Sequence, residues 1–240
     1  MLRLDKLCFA IQNEMIVNSI SFEANFGEII GLIGPNGAGK TTIMRLMAGV
    51  LLPSAGDIFY NDIDFIKNSN ELKKAIGYLP EGAPLYGDMS AKEYLEFIAK
   101  IHGFEGDKLR EIVKNIAIKT NIESVFHQKI DTLSKGFRRR IAFAASAIHS
   151  PQFLILDEPM DGLDPNQKEL ANNAILELAK TSNIFVSTHV LEDIEAICTR
   201  IILINNGKII IDESKNAFLK RNSGNFREAF KQLTRGELIE

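Results

Sequence analysis

The chain carries two kinds of hydrophobic pattern, and they predict different elements. From residue 2 to residue 26, apolar side chains recur with a period of about two, which predicts short strands of an antiparallel β subdomain. Three later runs, residues 28–33, 152–156 and 183–187, are short and mostly apolar without alternation. Such runs are typical of strands that are buried on both faces of a parallel sheet. The pattern therefore predicts a mostly parallel sheet beside an antiparallel N-terminal part.

Between residues 83 and 150 the periodicity is that of amphipathic helices. Ser90 and Glu93 form a capping box at the start of the first of these helices. We expect Asp107 to cap the second helix and Ser134 to cap the third. Because strand-like runs return after this segment, the helices are predicted to form an inserted subdomain rather than an independent domain.

A glycine-rich stretch, residues 34–42, separates the first apolar strand from a helical run and reads GPNGAGKTT. It fits the phosphate-loop pattern G-x-x-x-x-G-K-[ST] at every fixed position, in the strand–turn–helix context that the pattern needs. Its glycines let backbone N–H groups close around phosphate oxygens. Lys40 can reach the β- and γ-phosphates, and the Thr41 hydroxyl can ligate Mg²⁺. The predicted nucleotide-binding residues are Gly34, Pro35, Asn36, Gly37, Ala38, Gly39, Lys40, Thr41 and Thr42.

Two adjacent carboxylates, Asp157 and Glu158, directly follow the second buried strand. Asp157 stands where a phosphate-loop protein carries the carboxylate that holds Mg²⁺. Glu158 is then free to orient or deprotonate an attacking water. The pair therefore predicts hydrolysis of the bound nucleotide.

These patterns predict one α/β domain over residues 1–240. Its phosphate-loop (P-loop) NTPase core has a mostly parallel sheet, an N-terminal antiparallel β subdomain and an inserted α-helical subdomain. We assign residues 1–82 and 151–214 to the core with its β subdomain, and residues 83–150 to the helical insert. Residues 215–240 form a C-terminal tail without a recognisable motif, helical in part.

Composition and charge narrow the class of protein. The chain has 240 residues, 45% of them hydrophobic, and a net charge of −3. There is no overall basic field, so no nucleic-acid partner is expected. No apolar run approaches the length of a membrane span, and the N-terminus lacks a signal peptide, so we expect a cytoplasmic protein. Cys8 and Cys198 are expected to be reduced, buried or half-buried thiols, and His102, His127 and His149 to be surface residues.

Beyond these features, the chain resembles the ATP-binding subunit of ATP-binding-cassette (ABC) transporters over residues 2–212. The family's signature motif, LSGGQ, is matched imperfectly by LSKGF at residues 133–137. Its D-loop is matched by GLDP at residues 162–165, and its switch histidine by His189. The order and spacing of these motifs also agree with the family.

The resemblance implies a composite ATP site between two chains. One chain would supply the phosphate loop, the catalytic residues Glu158, His189 and Glu81, and the Mg²⁺ ligands Thr41, Glu81 and Asp157. The second chain would supply the signature residues Ser134, Lys135 and Gly136, with Asp164 in the D-loop. A helix N-terminus at Ser134 offers amide donors to an anion.

The sequence departs from the family's pattern at three places. Glu81 stands where most of the family has glutamine, and Lys135 and Phe137 replace a glycine and the glutamine of the signature. Glutamate and lysine at these positions resemble the exporter subgroup. The family also stacks adenine on an aromatic residue of an N-terminal strand. Phe9 is the candidate, although a plain alignment leads nearer to Ile11, and Phe9 is equally well a core residue.

The favoured interpretation is an ATPase motor that works as a homodimer or heterodimer. It would bind ATP and Mg²⁺ and drive export through an integral membrane permease on another chain, peripheral on the inner face of the membrane. One alternative is a soluble ABC ATPase that acts on ribosomes or DNA. Another is a small-molecule phosphotransferase, which leaves the signature motif and His189 unexplained.

Overall fold

The computed structural model describes residues 1–220 together with residues 226, 228 and 230. Within these residues, strands and helices alternate along the chain. The elements are β1 Leu2–Ile11, β2 Glu14–Ala24, β3 Ile29–Ile33, α1 Lys40–Met47, β4 Ala55–Tyr60, β5 Ile63–Asp64, α2 Ser69–Leu72, β6 Ile76–Leu79, α3 Ala91–Ile101, α4 Gly106–Lys119, α5 Lys135–Ala147, β7 Phe153–Asp157, α6 Pro165–Leu178, β8 Asn183–Ser187, α7 Leu191–Ile197, β9 Arg200–Asn205, β10 Lys208–Ser214 and α8 Lys215–Lys220. Single turns of 3₁₀-helix lie at Lys73–Ala75, Glu123–Val125 and Ile130–Thr132.

The strands form two sheets. A four-stranded antiparallel sheet has the order β2-β1-β4-β5, and a six-stranded sheet has the order β10-β9-β3-β8-β7-β6. All neighbours in the larger sheet are parallel except β10, which pairs antiparallel with β9. Asn206 and Gly207 join this last pair, with φ of 46° and 70°, as a tight hairpin turn requires. The predicted fold class is confirmed.

The larger sheet is buried on both faces because its central strands β3, β7 and β8 are mostly apolar, and all of their residues are buried. In β3, Ile30 and Leu32 face the small sheet and α1, whereas Ile29 and Ile33 face the remaining helices. The hydrophobic core that contains Ile29 and Ile33 also contains apolar residues of α3, α4 and α5. The helical insert therefore shares its hydrophobic core with the sheet.

Helix starts follow the predicted caps with one exception. Ser90 and Glu93 make both hydrogen bonds of a capping box before α3, and Ser134 accepts from the amide of Phe137 at the start of α5. The prediction that Asp107 caps α4 is wrong. The helix begins at Gly106, two residues earlier than a cap at Asp107 would require, so Asp107 lies in its first turn and pairs with Arg110 instead.

His149 is not the surface residue that the sequence suggested. Its ring stacks on that of His102 with 3.8 Å between centroids, and its Nε2 contacts the carbonyl oxygen of Ile76 at 3.1 Å. Burial lowers the pKa of His149 to about 4, from an ordinary value of 6.5. The imidazole is therefore neutral in the folded chain at physiological pH.

This burial predicts a pH-dependent stability. Between about pH 4 and 6.5 the unfolded chain binds a proton at His149 that the folded chain does not. The free energy of unfolding should therefore rise from pH 4 to 6.5 and level off above. We expect His149→Gln to flatten this rise, measured as Tm at pH 5 and pH 7.5. The exposed His127→Gln is the control; an equal slope in both variants would contradict the assignment.

The described residues contain no helix long and apolar enough to cross a membrane. Cys198 is buried and Cys8 half-buried, as expected. The tail begins with α8, whose Phe218 is buried against the core. Apart from residues 226, 228 and 230, the rest of the predicted tail lies outside the described residues.

Candidate active site

The carboxyl ends of β3, β8 and β7 lie side by side at one edge of the larger sheet, because these strands are neighbours and parallel. The phosphate loop leaves β3 at this edge, Glu158 follows β7, and Thr188 and His189 follow β8. Crevices at the carboxyl ends of parallel strands are the usual ligand sites of open α/β sheets. The topology thus brings together residues that are more than a hundred positions apart in the sequence.

The loop backbone can follow this path only because two positions lack a side chain. Gly34 has φ of 152°, and a Cβ there would collide with the carbonyl oxygen of Ile204. Gly39 has φ of 102° directly before α1, and a Cβ would lie 2.9 Å from the carbonyl oxygen of Ile16. No side chain caps the N-terminus of α1. Its first amides and its positive dipole end are therefore free to bind an anion.

Lys40 is folded over the loop and is only 8% exposed. Its Nζ donates to the carbonyl oxygens of Gly34 at 2.8 Å and Pro35 at 2.9 Å. Burial lowers the pKa of Lys40, while nearby carboxylates, chiefly Glu158 and Asp157, oppose this shift. A buried cation among carboxylates is poised to exchange its carbonyl partners for phosphate oxygens.

Asp157 is 1% exposed and is held by two hydroxyl groups. Thr41 Oγ1 donates to its Oδ1 at 3.3 Å, and Ser187 Oγ donates to the same atom. Among the described residues, Asp157 Oδ2 has no hydrogen-bond partner although it is buried. An orphaned carboxylate oxygen beside a threonine hydroxyl fits Mg²⁺, which is usually held by one or two carboxylates with water and substrate phosphates.

Glu158 has a strained backbone and an oriented side chain. Its φ of 50° lies in the left-handed region, and its amide donates to the Ser187 carbonyl oxygen at 3.1 Å. Its Oε1 accepts from His189 Nδ1 at 3.0 Å. The Glu158 side chain is 13% exposed, whereas that of His189 is 55% exposed. Strain of this kind persists where the surrounding structure fixes a residue for function.

Lys40, Glu158 and His189 line one cleft of about 580 Å³, a usual size for a small-molecule site, whereas the buried Asp157 is not part of its walls. Its walls are Ile11, Ile16, Asn36, Gly37, Ala38, Gly39, Lys40, Thr41, Thr42, Glu81, Glu158 and His189. Phe9 is not among them. Its side chain packs against the core between the two sheets, so the structure favours a core role for Phe9. Ile11, 53% exposed, offers apolar surface beside the loop instead.

The signature residues lie outside this cleft. Ser134 is exposed and precedes α5, and Lys135 Nζ pairs with Asp161 Oδ2 at 2.8 Å. Asp164 caps α6 by accepting from the Gln167 amide at 2.9 Å. Within one chain, the cleft is thus lined by the phosphate loop and the carboxylates but not by the signature.

Sequence reasoning missed two residues that shape the site. Ser187 pairs with Asp157 across β7 and β8, and this could have been found, since it ends the neighbouring buried strand. Arg139 donates hydrogen bonds to the backbone on both sides of the cleft's acidic wall, at Glu81 and Glu158. Only its place in the basic start of α5 hinted at a role.

A glycine-rich loop between a buried strand and a helix, with a magnesium-type carboxylate on a neighbouring strand, defines a P-loop NTPase. Residues 17–161, more than half of the chain, match the family model of the ABC transporters. The chain belongs to this family as an ATP-binding subunit, and it is an ATPase.

Known proteins agree with this assignment. The chain is 34% identical to the uncharacterized ABC transporter ATP-binding protein YxlF of Bacillus subtilis (strain 168), covering 87% of this chain and 69% of the relative. It is 32% identical to the Nod factor export ATP-binding protein I of Rhizobium sp. (strain N33), and the match covers 88% of this chain and 70% of that relative. The dimeric post-hydrolysis structure of the ATP-binding cassette MJ0796 with ADP and Pi superposes with a TM-score of 0.81 at 20% identity, over 89% of this chain and 98% of the other. At 20% identity, this superposition shows a common fold only.

Proposed function

We propose that this chain is the ATP-hydrolysing motor of a transporter whose membrane-spanning part is a separate permease. Two cassettes would close on two molecules of ATP and Mg²⁺, hydrolyse them and reopen. The observation that carries the proposal is the division of the site. The cleft has a phosphate loop, carboxylates and His189, while Ser134 is exposed elsewhere on the same chain.

In one chain, the loop amides and Lys40 would bind the β- and γ-phosphates. Thr41, Asp157 and Glu81 would hold Mg²⁺, which when bound neutralises charge on the phosphates. Glu158 would orient and deprotonate the attacking water, since its carboxylate points into the cleft beside the loop. His189, in contact with Glu158, would fix that carboxylate and contact the γ-phosphate.

The other half of the site would come from a second chain, equal or related to this one. Ser134, Lys135 and Gly136 stand at the N-terminus of the 13-residue helix α5. Exposed amides and a positive dipole end there suit the γ-phosphate of a nucleotide bound to the partner. A head-to-tail dimer would place each signature over the other chain's loop. The MJ0796 cassette, which has the same fold, is itself described as dimeric.

The contact with the permease would involve residues 81–88 and the helical insert. Tyr86 is 60% exposed, and its ring packs edge-on against Tyr94 at 5.9 Å and Phe97 at 5.8 Å. The exposed rings of Tyr86 and Phe97, backed by the buried Tyr94, favour a protein interface over open solvent. The chain would then lie on the cytoplasmic face of the membrane. Two observations support export as the direction of transport. One relative is named for Nod factor export, and this chain has glutamate at position 81 and lysine at position 135.

The composite site can be tested by ATP-dependent dimerisation. We expect Glu158→Gln to sediment as a dimer with ATP and Mg²⁺ and as a monomer with ADP, because the closed state cannot be left by hydrolysis. Adding Ser134→Arg to this variant is the matched control, since it fills the phosphate-facing end of α5 and should abolish the dimer. A monomer under all conditions would contradict a homodimeric site and direct attention to a related partner chain.

A further inference from the structure

Arg139 lies where three segments of the active site meet. It is 5% exposed and projects from α5 toward the carboxyl ends of β6 and β7. Its five N–H groups donate to five main-chain carbonyl oxygens. Nε donates to the carbonyl oxygen of Pro159 at 3.3 Å. Nη1 donates to those of Pro80 at 3.3 Å and Glu81 at 2.6 Å. Nη2 donates to those of Asp157 at 2.7 Å and Glu158.

This hydrogen bonding uses the whole donor capacity of a guanidinium, which is five N–H groups in a rigid plane. Burial lowers the pKa of Arg139, and the carboxylates of Asp161, Asp157, Glu158 and Glu81 oppose that shift. Because an arginine guanidinium is not deprotonated in proteins, the side chain is a cation although it is buried. Burying a charge is costly unless it is fully hydrogen-bonded, so a fold that needed only packing here would not require an arginine.

We propose that Arg139 is a positioning residue that holds the Glu81 segment and the Asp157–Pro159 segment at a fixed separation and ties both to α5. Glu158 needs such support because its φ of 50° is unfavourable for a residue with a side chain. The planar guanidinium binds two carbonyls of the Glu81 segment and three carbonyls of the Asp157–Pro159 segment. It therefore fixes the two segments relative to each other.

Arg139 also connects the signature end of α5 to the cleft of its own chain. This second inference rests on the proposed function. The N-terminus of α5 carries Ser134, the group that would contact the partner's ATP. Arg139 stands between one and two helical turns further along. A shift of α5 on closing over the partner's nucleotide would therefore move Glu81 and Glu158 in its own cleft. The two sites of a dimer would be linked through one side chain.

Arg139→Gln tests the positioning role, since one amide group cannot bridge both segments. We expect kcat for ATP to fall about 10- to 100-fold, a usual cost of losing an outer hydrogen-bonding partner, with KM for ATP changed less than about twofold. Turnover is expressed per chain that binds ATP, so a smaller folded fraction does not count as a loss. Arg139→Lys keeps the charge with three donors and should recover part of kcat.

Arg200→Gln is the matched control. Arg200 also binds several partners, namely Asp212, Glu28 and the carbonyl oxygen of Glu23, but it lies at the start of β9, at the opposite end of the sheet from the cleft. This variant should lose thermal stability and keep kcat. The proposal is overturned if Arg139→Gln keeps kcat within twofold, or if Arg200→Gln loses as much. If Arg139→Gln does not fold, Arg139→Met, which keeps the apolar stem but has no donor, decides by the same criterion. Dimerisation of Glu158→Gln is measured separately, so failure of the composite site is distinguishable.

Discussion

Glu158→Gln is expected to bind ATP normally and to lose most of its turnover. The substitution keeps the size of the side chain and its contact with His189, at 3.0 Å in the present structure, but removes the group that can accept a proton from water. A positioned general base contributes about 10²- to 10⁴-fold to a rate, so kcat should fall by that factor. ATP affinity should hold, because the phosphates are bound by the loop amides and Lys40.

The measurement is steady-state phosphate release with equilibrium binding of ATP on the same preparation. Glu111→Gln is the matched control, because it removes a carboxylate from an exposed position of α4 and should behave as the parent chain. Turnover at the parental rate would mean that another group activates the water. A loss of ATP affinity as large as the loss of rate would instead assign Glu158 to nucleotide binding.

Much of the site was predictable because its chemistry is carried by short local patterns. The phosphate loop combines fixed residue types with a strand before it and a helix after it, and each part leaves its own trace in the sequence. Asp157 and Glu158 follow a continuously apolar run, which marks a buried parallel strand. Since parallel strands end at one edge, the meeting of these residues at one edge of the sheet follows from the fold class alone.

The parts that could not be predicted depend on register and on main-chain groups. Strand β1 shifts register against β2 between Leu7 and Phe9 and again between Phe9 and Ala10. Such irregularities change which face a side chain takes, so counting alternate residues cannot place Phe9 or Ile11. Arg139 was missed for a different reason. Its partners are backbone carbonyls of segments far away in the chain, and carbonyls carry no sequence signal.

Lys40→Met should remove most nucleotide binding and, with it, hydrolysis. The Lys40 ammonium is buried, donates to two loop carbonyls, and faces the carboxylates of Asp157, Glu158 and Glu81. Without the ammonium, the negative charge of the triphosphate would be repelled by these carboxylates. The phosphates would also lose a positively charged hydrogen-bond donor. Truncating one member of a buried charge pair costs about 2–5 kcal/mol, and about 1.4 kcal/mol is tenfold in affinity. We therefore expect the Kd for ATP to rise at least about 30-fold and kcat/KM to fall further, because the same ammonium stabilises charge on the γ-phosphate during transfer.

Methionine matches the length and the apolar stem of lysine, so this substitution isolates the charge rather than the packing. Lys114→Met, at an exposed position of α4, controls for the removal of one positive charge from the whole chain. Calorimetric titration with ATP gives Kd, and thermal unfolding without nucleotide separates loss of binding from loss of fold. ATP affinity and kcat both unchanged in a folded Lys40→Met chain would contradict the assignment of the loop as the phosphate site. Loss of kcat with Kd retained would instead restrict the role of the lysine to the transfer step.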